Sequence, residues 1–439
     1  MILRQDGPPT LICFAYYFPP VNEVASLRAK YFVSAALDNG WHCHVVTTNF
    51  DTSLGSIDWI ELKSNENLTI STFGGETKSS ANVRCMSLAN FLRAAIKPMA
   101  REIIRRLPFH FLEPAESWKR LVSAAIDCGS FDHADAIWST SGPVQSHILA
   151  RKLTKRCTSA VTWVADFRDP WSGSHFFKLL IGNRLQRALE KRCLKTADHI
   201  TCVSMGHAKY LANLHGKKIK VFYNGFEDEN YIYNPKKSIE LRKIFRGGYD
   251  FEPVIIAHTG TIYGHFDKIK ISAFVNDVLS ACDKAIFVFY GNDQLGLKKQ
   301  FINEPRAFFC GIQSRSDTLV LQNSADRLLL LLEPKKKNNS QLPNTAVIST
   351  KAFEYIKSGK PVIALGDTNP EKNEALKLIE ANNELLYIND TIGRLEHLKV
   401  AREIKKNYMA QRLLPPPSEL YRRNIMNRYL KLFGHPHER

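Results

Sequence analysis

With 439 residues, the chain exceeds what one hydrophobic core holds and suits two domains of about 200 residues each. Hydrophobic residues at 44% exclude an intrinsically disordered chain. Sixty basic against 43 acidic residues leave a formal charge of +17, which favours anionic partners: nucleic acid, a membrane surface or phosphorylated substrates.

The nine cysteines are scattered, without Cys-x-x-Cys or His/Cys ligand spacing, so reduced thiols in a cytosol are expected, and no metal centre. Leu11 to Phe18 is apolar but too short to span a bilayer, and no signal peptide is expected. Any membrane contact is therefore expected to be peripheral.

In chain order, Leu11 to Tyr17 reads as a buried strand broken by Phe18-Pro19-Pro20, with a helix from Ala25 to Leu37 ended by Asn39-Gly40. Trp41 to Thr48 is the next strand, so a doubly wound sheet opens here without a Gly-x-Gly-x-x-Gly turn. Arg28 falls on the polar side of the first helix, where a solvated cation is the commoner outcome. Arg84 to Leu112 alternates Arg93, Lys97, Arg101, Arg105 and Arg106 with Leu92, Ile96, Met99, Ile103 and Ile104. That pattern fits either a basic amphipathic helix lying on an anionic membrane or a helix packed on its own domain.

Ala136 to Trp138 and Ala160 to Ala165 read as strands, the second delivering Asp166-Phe167-Arg168-Asp169-Pro170-Trp171 at the end where open α/β sheets bind ligands. Arg168 either serves that site or braces the loop against Asp166 or Asp169. A helix from Arg184 to Thr196 and strands at His199 to Val203 and Lys218 to Tyr223 lead to Asn224-Gly225, a turn signal. Glu227 to Tyr249 turns polar, which places a domain boundary there. The second half repeats the architecture: strand Val254 to His258, turn Thr259-Gly260-Thr261-Ile262-Tyr263-Gly264, helix Lys268 to Leu279, and strands at Ala285 to Tyr290, near Phe308 and at Leu328 to Leu332. The turn lets backbone N–H groups approach phosphate oxygens. A polar loop follows, Glu333 to Ser349.

Ser349 to Ser358 reads as a helix capped by Ser349 or Thr350 and stopped by Gly359, with a strand directly after. Ala352, Phe353 and Ile356 share the packed face, which turns Lys351, Glu354 and Tyr355 elsewhere. Lys351 and Glu354 are either an i,i+3 surface pair or a phosphate-binding lysine followed one turn later by a carboxylate that takes a vicinal diol. A basic helix, Ser418 to Phe433, ends the chain.

Taken together, Tyr16-Tyr17-Phe18-Pro19-Pro20 with Arg28, Asp166 to Trp171, Asn224-Gly225-Phe226, His258 to Tyr263, and Lys351 to Tyr355 resemble bacterial glycosyltransferases of the GT-B architecture, in the family-four-like group that builds surface polysaccharides. The resemblance implies an α/β fold of two Rossmann-like doubly wound domains facing across a cleft, with the last helix crossing back. The expected division is an acceptor-binding domain at 1–225, a nucleotide-sugar domain at 226–416, and the returning helix at 417–439. It further implies that Glu354 accepts ribose hydroxyls, Gly260 and Thr261 face a diphosphate, and Lys351 holds the donor, with Tyr263 and Lys268 beside them. Asp166, Arg168 and Asp169 become the catalytic candidates on the acceptor side, lined also by Pro20, Arg28 and Trp171. Two positions depart from the family pattern: Ala346 replaces the first of a glutamate pair, and His265-Phe266 stand where a basic residue often follows the turn.

The expected reaction is retaining transfer from a nucleoside-diphosphate sugar to a saccharide or lipid-linked acceptor, with charge on the departing diphosphate as the main catalytic demand. No Asp-x-Asp pair occurs in the site loops, and no cofactor or metal is expected. Asp166, Asp169 or the departing phosphate itself takes the acceptor proton. Two readings compete with this one: a sugar-nucleotide epimerase of the same fold, and a nucleic-acid binder, disfavoured because no recognisable module interleaves the cations with aromatics. The expected location is cytoplasmic, with peripheral contact at the inner face of an anionic membrane.

Overall fold

A computed structural model describes residues 7–21, 23–50, 57, 59–75, 114–172, 180–227, 235–332, 348–366, 371, 373–388, 393–406 and 416–434. The chain forms two compact units, one built from Met1–Tyr223 with Arg422–Arg439, the other from Asn224–Asn338 with Asn344–Tyr421.

The first unit's strands are β1 (Thr10–Phe14), β2 (His42–Asn49), β3 (Leu68–Gly75), β4 (Ala136–Thr140), β5 (Thr162–Phe167), β6 (His199–Cys202) and β7 (Lys220–Val221). They form one parallel sheet in the order β3-β2-β1-β4-β5-β6-β7. Its helices are α1 (Val24–Asp38), α2 (Ile60–Lys63), α3 (Pro114–Asp127), α4 (Gln145–Arg156), α5 (Leu180–Leu194) and α6 (Met205–His215). Parallel strands covered on both faces carry apolar runs rather than alternation, and Leu11 to Phe14 is buried throughout. On one face Trp118, Leu149 and Leu153 from α3 and α4 pack on Ile12, Phe14 and Trp163. On the other, Phe32 and Val33 of α1 pack on Cys13, Val45 and Trp138.

The second unit comprises α7 (Pro235–Arg246), β8 (Val254–Thr259), α8 (Lys268–Ala281), β9 (Ala285–Tyr290), β10 (Ala307–Gly311), α9 (Arg315–Ser324), β11 (Arg327–Leu331), α10 (Thr350–Ser358), β12 (Val362–Leu365), α11 (Glu374–Glu380), β13 (Leu385–Ile388) and α12 (Arg394–Lys406). Its parallel sheet runs β10-β9-β8-β11-β12-β13. In each sheet the strand order thus reverses once, between β1 and β4 and between β8 and β11. Ligands bind outside the carboxyl ends of the strands at such a reversal. Local chemistry sets the helix starts there: Asp267 and Ser314 cap α8 and α9 by accepting from the N–H of Lys270 and Asp317, each at 3.1 Å. Gly359, at φ 66°, ends α10 in the left-handed region that glycine enters without strain.

The last helix, α13 (Arg422–Leu430), belongs to the first unit. It is basic by composition, yet Ile425, Met426, Tyr429 and Leu430 enter the core beside Phe32, Trp41 and Trp138. The Tyr429 hydroxyl lies 2.6 Å from Thr201 Oγ1 and accepts from Trp138 Nε1 at 3.2 Å. The first unit's core is therefore completed by the end of the sequence.

Some expectations change. The strand expected at Lys218 to Tyr223 shortens to β7, because the carbonyls of Phe222 and Tyr223 turn to Arg28. Within the polar stretch after Glu227 lies α7, whose Phe245 is buried against Phe308 and whose Arg242 bonds Glu252, Asp326 and the Pro253 carbonyl. The stretch Arg84 to Leu112, most of the loop Glu333 to Ser349 and Ala346 lie outside the described residues. Tyr429→Ala removes a fully buried aromatic together with two hydrogen bonds. It is expected to cost about 3–5 kcal/mol in urea unfolding of the full chain, and a loss below 1 kcal/mol would contradict the placement of α13.

Candidate functional site

Three glycines end adjacent strands of the second unit. Gly260, Gly291 and Gly311 follow or close β8, β9 and β10, with φ of 110°, 138° and 70°, a region closed to most side chains. The Gly260 N–H donates to the Tyr290 carbonyl at 2.6 Å and the Gly291 N–H to the Gly311 carbonyl at 2.7 Å. The backbones touch: a Cβ on Gly291 would stand 2.2 Å from the Gly260 oxygen. A Cβ on Gly260 would stand 2.2 Å from Cε of Lys351. These glycines floor a cavity of about 640 Å³ walled by Phe309 and Ile312, with Lys298 and Lys299 at its edge.

The lysine that crosses Gly260 comes from the first turn of α10. Its Nζ donates to the Thr261 carbonyl at 3.4 Å. Burial lowers its pKa from 10.5 to about 8, against the pull of Glu354, because removing an ammonium from water disfavours its charged form. Neighbouring His258 is buried and held neutral: desolvation, then the Lys351 charge, push its pKa to about 3. Its Nδ1–H donates to the Leu329 carbonyl at 2.9 Å.

Glu354, three residues further along α10, is nearly buried. Its Oε1 accepts from Arg315 Nη1 at 2.5 Å and its Oε2 from Gln322 Nε2 at 2.8 Å. The same Gln322 amide donates to Thr259 Oγ1 at 2.9 Å. Tyr355, expected on the outward face with them, is fully buried instead. Its hydroxyl accepts from the Thr259 N–H and donates to the Leu329 carbonyl, so a phenol serves the sheet where sequence periodicity suggested a polar face.

The structure thus gathers Gly260, Thr261, Lys351 and Glu354 at one strand end. Tyr263 is exposed on the turn, stacked on His265 at 5.4 Å. Lys268 opens α8, with Nζ 3.7 Å from where a Cβ on Gly296, a cavity-lining residue, would stand. Arg315, Gln322 and Gly311 were not anticipated. Only Gly311 carried a local signal, a glycine after an apolar run.

In the first unit the expected residues separate into two groups. Asp166, at the end of β5, is wholly buried. Arg28 meets it in a fork, Nε to Oδ2 and Nη2 to Oδ1, both at 2.8 Å. Thr140 Oγ1 and Thr201 Oγ1 donate to the same two oxygens at 3.0 and 2.9 Å. Burial alone would raise the Asp166 pKa, but Arg28 outweighs it and holds the carboxyl below its ordinary value. Arg28 is likewise raised despite its burial. A carboxylate so enclosed does not exchange protons with a substrate; Asp166 is corrected from a catalytic candidate to a framework residue. Arg28, expected as a solvated or acceptor-side cation, is corrected in the same way. Trp171 is also core, its Nε1 donating to Gln186 Oε1 at 2.7 Å.

The second group stays at the surface. Arg168 grips Asp169 Oδ2 through Nε and Nη2 at 2.9 and 2.7 Å and lies 5.8 Å from the Tyr17 ring centre. Asp169 keeps 56% of its side chain exposed, and Pro20, which follows Tyr17 closely in sequence, is exposed as well. Among the described residues no cluster of three or more His, Cys, Asp or Glu could hold a metal ion.

Residues 26–230 match the family model of Glycosyltransferase Family 4. No curated protein sequence matches the chain. Among solved structures, Anabaena Alr3699/HepE in complex with UDP-glucose is similar at TM-score 0.53 and 13% identity, over 97% of this chain and 95% of that one. Sucrose-phosphate synthase from Thermosynechococcus elongatus is similar at TM-score 0.56 and 12% identity, over 97% and 95%. A putative UDP-N-acetylglucosamine 2-epimerase from Listeria monocytogenes is similar at TM-score 0.56 and 12% identity, over 98% and 97%. At these identities the likeness is one of fold.

Asp166→Asn leaves the Arg28 cation buried without its counter-charge and is expected to cost about 3–5 kcal/mol in chemical denaturation. The Asp166 pKa is depressed, so its stabilisation is present above the unfolded carboxyl range and is lost only as pH falls through the still lower folded value. A cost under 1 kcal/mol at neutral pH would contradict the framework role.

Proposed function

We propose that this chain, whose residues 26–230 match the Glycosyltransferase Family 4 model, is a GT-B glycosyltransferase that moves a sugar from a nucleoside-diphosphate sugar to a saccharide or lipid-linked saccharide, retaining anomeric configuration, in building a surface polysaccharide. The observation that carries this reading is the partly buried Lys351 cation lodged against Gly260 at the switch point of the second sheet. A diphosphate is the ligand that such a charge calls for: it restores by attraction what desolvation takes away.

In this reading the departing diphosphate lies on Lys351 Nζ and the Thr261 N–H. Gly260 contributes room rather than a donor, since its own N–H is committed to Tyr290. As the sugar–oxygen bond breaks, negative charge grows on that oxygen and the nearby ammonium stabilises it more than it stabilised the ground state. Glu354 accepts the ribose hydroxyls, the cavity beside Phe309 and Ile312 takes the base, and Tyr263 and Lys268 flank the donor. The acceptor lies against the first unit's exposed pair, Arg168 and Asp169, with Pro20. Asp169, now the exposed carboxylate of that loop, and the departing phosphate are the two candidate proton acceptors. The basic stretch Arg84 to Arg106 is the proposed contact with an anionic membrane at the cytoplasmic face.

Lys351→Met keeps the stem and removes the charge. Transfer from a nucleoside-diphosphate sugar, followed by release of the nucleoside diphosphate, is expected to fall about 10²–10³-fold in kcat, while the unfolding midpoint holds or rises because the desolvation penalty has gone. A kcat within threefold of the parent would contradict the assignment. Conversion of the sugar nucleotide to an epimer without any acceptor would instead identify an epimerase.

A further inference from the structure

We propose that the strand ends of the first unit form a carbohydrate platform, on which Tyr17 and Phe50 take the ring of a neutral sugar while Arg168 and Asp169 read its adjacent hydroxyls. This rests on the reading above that the acceptor lies against the first unit. It names the acceptor's class: an uncharged sugar residue rather than a phosphate or a sugar acid.

Tyr17, Phe50, Gly142 and Arg168 follow β1, β2, β4 and β5, four neighbouring strands that straddle the reversal of the first sheet. The Tyr17 and Phe50 rings stack with centres 5.0 Å apart and 12° between their planes. Tyr16 meets both edge-on at 5.1 and 5.2 Å and itself rests on the buried Trp118. The stacked pair is thus fixed from the core side, yet both of its rings are only half-buried. Rigid rings partly open to water offer an apolar surface with negative π faces, which suits the polarised C–H bonds of a pyranose.

Arg168, 5.8 Å from the Tyr17 ring centre, brings the polar groups to this surface. Gly142, at φ 85°, makes the room: a Cβ there would stand 2.1 Å from Arg168 Nη2 and 2.7 Å from Asp169 Oδ2. Ser141 Oγ donates to the Asp169 carbonyl at 2.9 Å and accepts from the Asp169 N–H at 3.2 Å, which ties the loop to the end of β4. Arg168 commits Nε and Nη2 to Asp169 Oδ2, and Nη2 also reaches the Gly142 carbonyl at 3.4 Å. Neither Arg168 Nη1 nor Asp169 Oδ1 has a partner among the described residues. One donor and one acceptor side by side match a pair of hydroxyls, each of which both donates and accepts. The ion pair is neutral as a whole, and an arriving anion would meet the exposed Asp169 carboxylate, whose repulsion offsets the attraction of Arg168. In the second unit Lys351 crosses Gly260 with a carbonyl for a partner, whereas here Arg168 crosses Gly142 with a carboxylate. The net charge of +17 therefore does not extend to this surface.

The test uses the full chain and saturation-transfer NMR. Methyl glycosides of glucose, galactose, mannose and N-acetylglucosamine are the neutral probes, methyl glucuronide the acidic one, and inorganic pyrophosphate the competitor. UDP, ADP and GDP are titrated separately to report on the second unit. At least one neutral glycoside is expected to bind, about 10-fold more tightly than the glucuronide, and pyrophosphate should not displace it. Tyr17→Leu and Phe50→Leu, which keep apolar bulk, should each weaken it about 3- to 10-fold while nucleoside-diphosphate affinity stays that of the parent. Asp169→Asn should bring glycoside and glucuronide to within about threefold of each other. Nucleoside-diphosphate binding without binding of any neutral glycoside overturns this proposal and leaves the donor reading standing. Displacement by pyrophosphate, tighter binding of the glucuronide, or unchanged affinity in both ring variants overturns it as well. Glycoside binding without any nucleoside-diphosphate binding supports the platform and contradicts the transferase reading instead.

Discussion

A lysine stem laid against a glycine is the constraint on which the second unit's site depends. Lys351 reaches the strand ends only because Gly260 has no Cβ, and Gly260 in turn presses its carbonyl where a Cβ on Gly291 would stand. Two adjacent parallel strands thus end in glycine for one steric reason, whereas Gly311, which closes β10, has open space around it and is required only by its φ of 70°. The result is a cation held where water is scarce, beside a neutral histidine. The drop in its pKa from 10.5 to about 8 corresponds to about 3 kcal/mol, a burden on the empty protein below that pH that an anionic ligand relieves.

The first unit is organised by a different interaction. The Arg28–Asp166 pair joins α1 to β5, and through Thr140, Thr201 and the carbonyls of Phe222 and Tyr223 it also joins β4, β6 and the chain leaving β7. Burying such a pair gains little over an apolar substitute; what it provides is a defined register for the strand ends from which Arg168 and Asp169 project. Tyr429 seals the same region from the C-terminal helix. Rigid strand ends carrying a few exposed polar groups are the usual platform for a binding site.

Much of this was legible in the sequence. Alternating apolar strands and helices stopped by glycine made the doubly wound halves readable, and α10 was placed closely because its Gly359 stop is a local signal, although Ser349, at the N-cap position, makes no side-chain capping bond. Contacts that join distant residues were not. Arg28 and Asp166 lie 138 positions apart, and nothing in either neighbourhood says that a buried partner exists, so one read as solvated and the other as catalytic. Tyr355 was misplaced because a phenol suits both a core and a polar face, and only the nearby Thr259 and Leu329 backbone decides. Gly291 and Gly311 acquire meaning from strand order, which aligns them beside Gly260. Arg315 had no signal, since its partner Glu354 lies 39 residues away on another helix.

The most direct measurement is of protons. Titration of a nucleoside diphosphate into the full chain near pH 9, in buffers of different ionisation enthalpy, counts the protons exchanged on binding at a pH where the phosphates are already ionised. With Lys351 at about 8 when empty and raised by the bound anion, uptake approaching one proton is expected, fading toward zero at pH 7 and absent in Lys351→Met. Tight binding at pH 9 without proton uptake would mean that the diphosphate does not rest on Lys351.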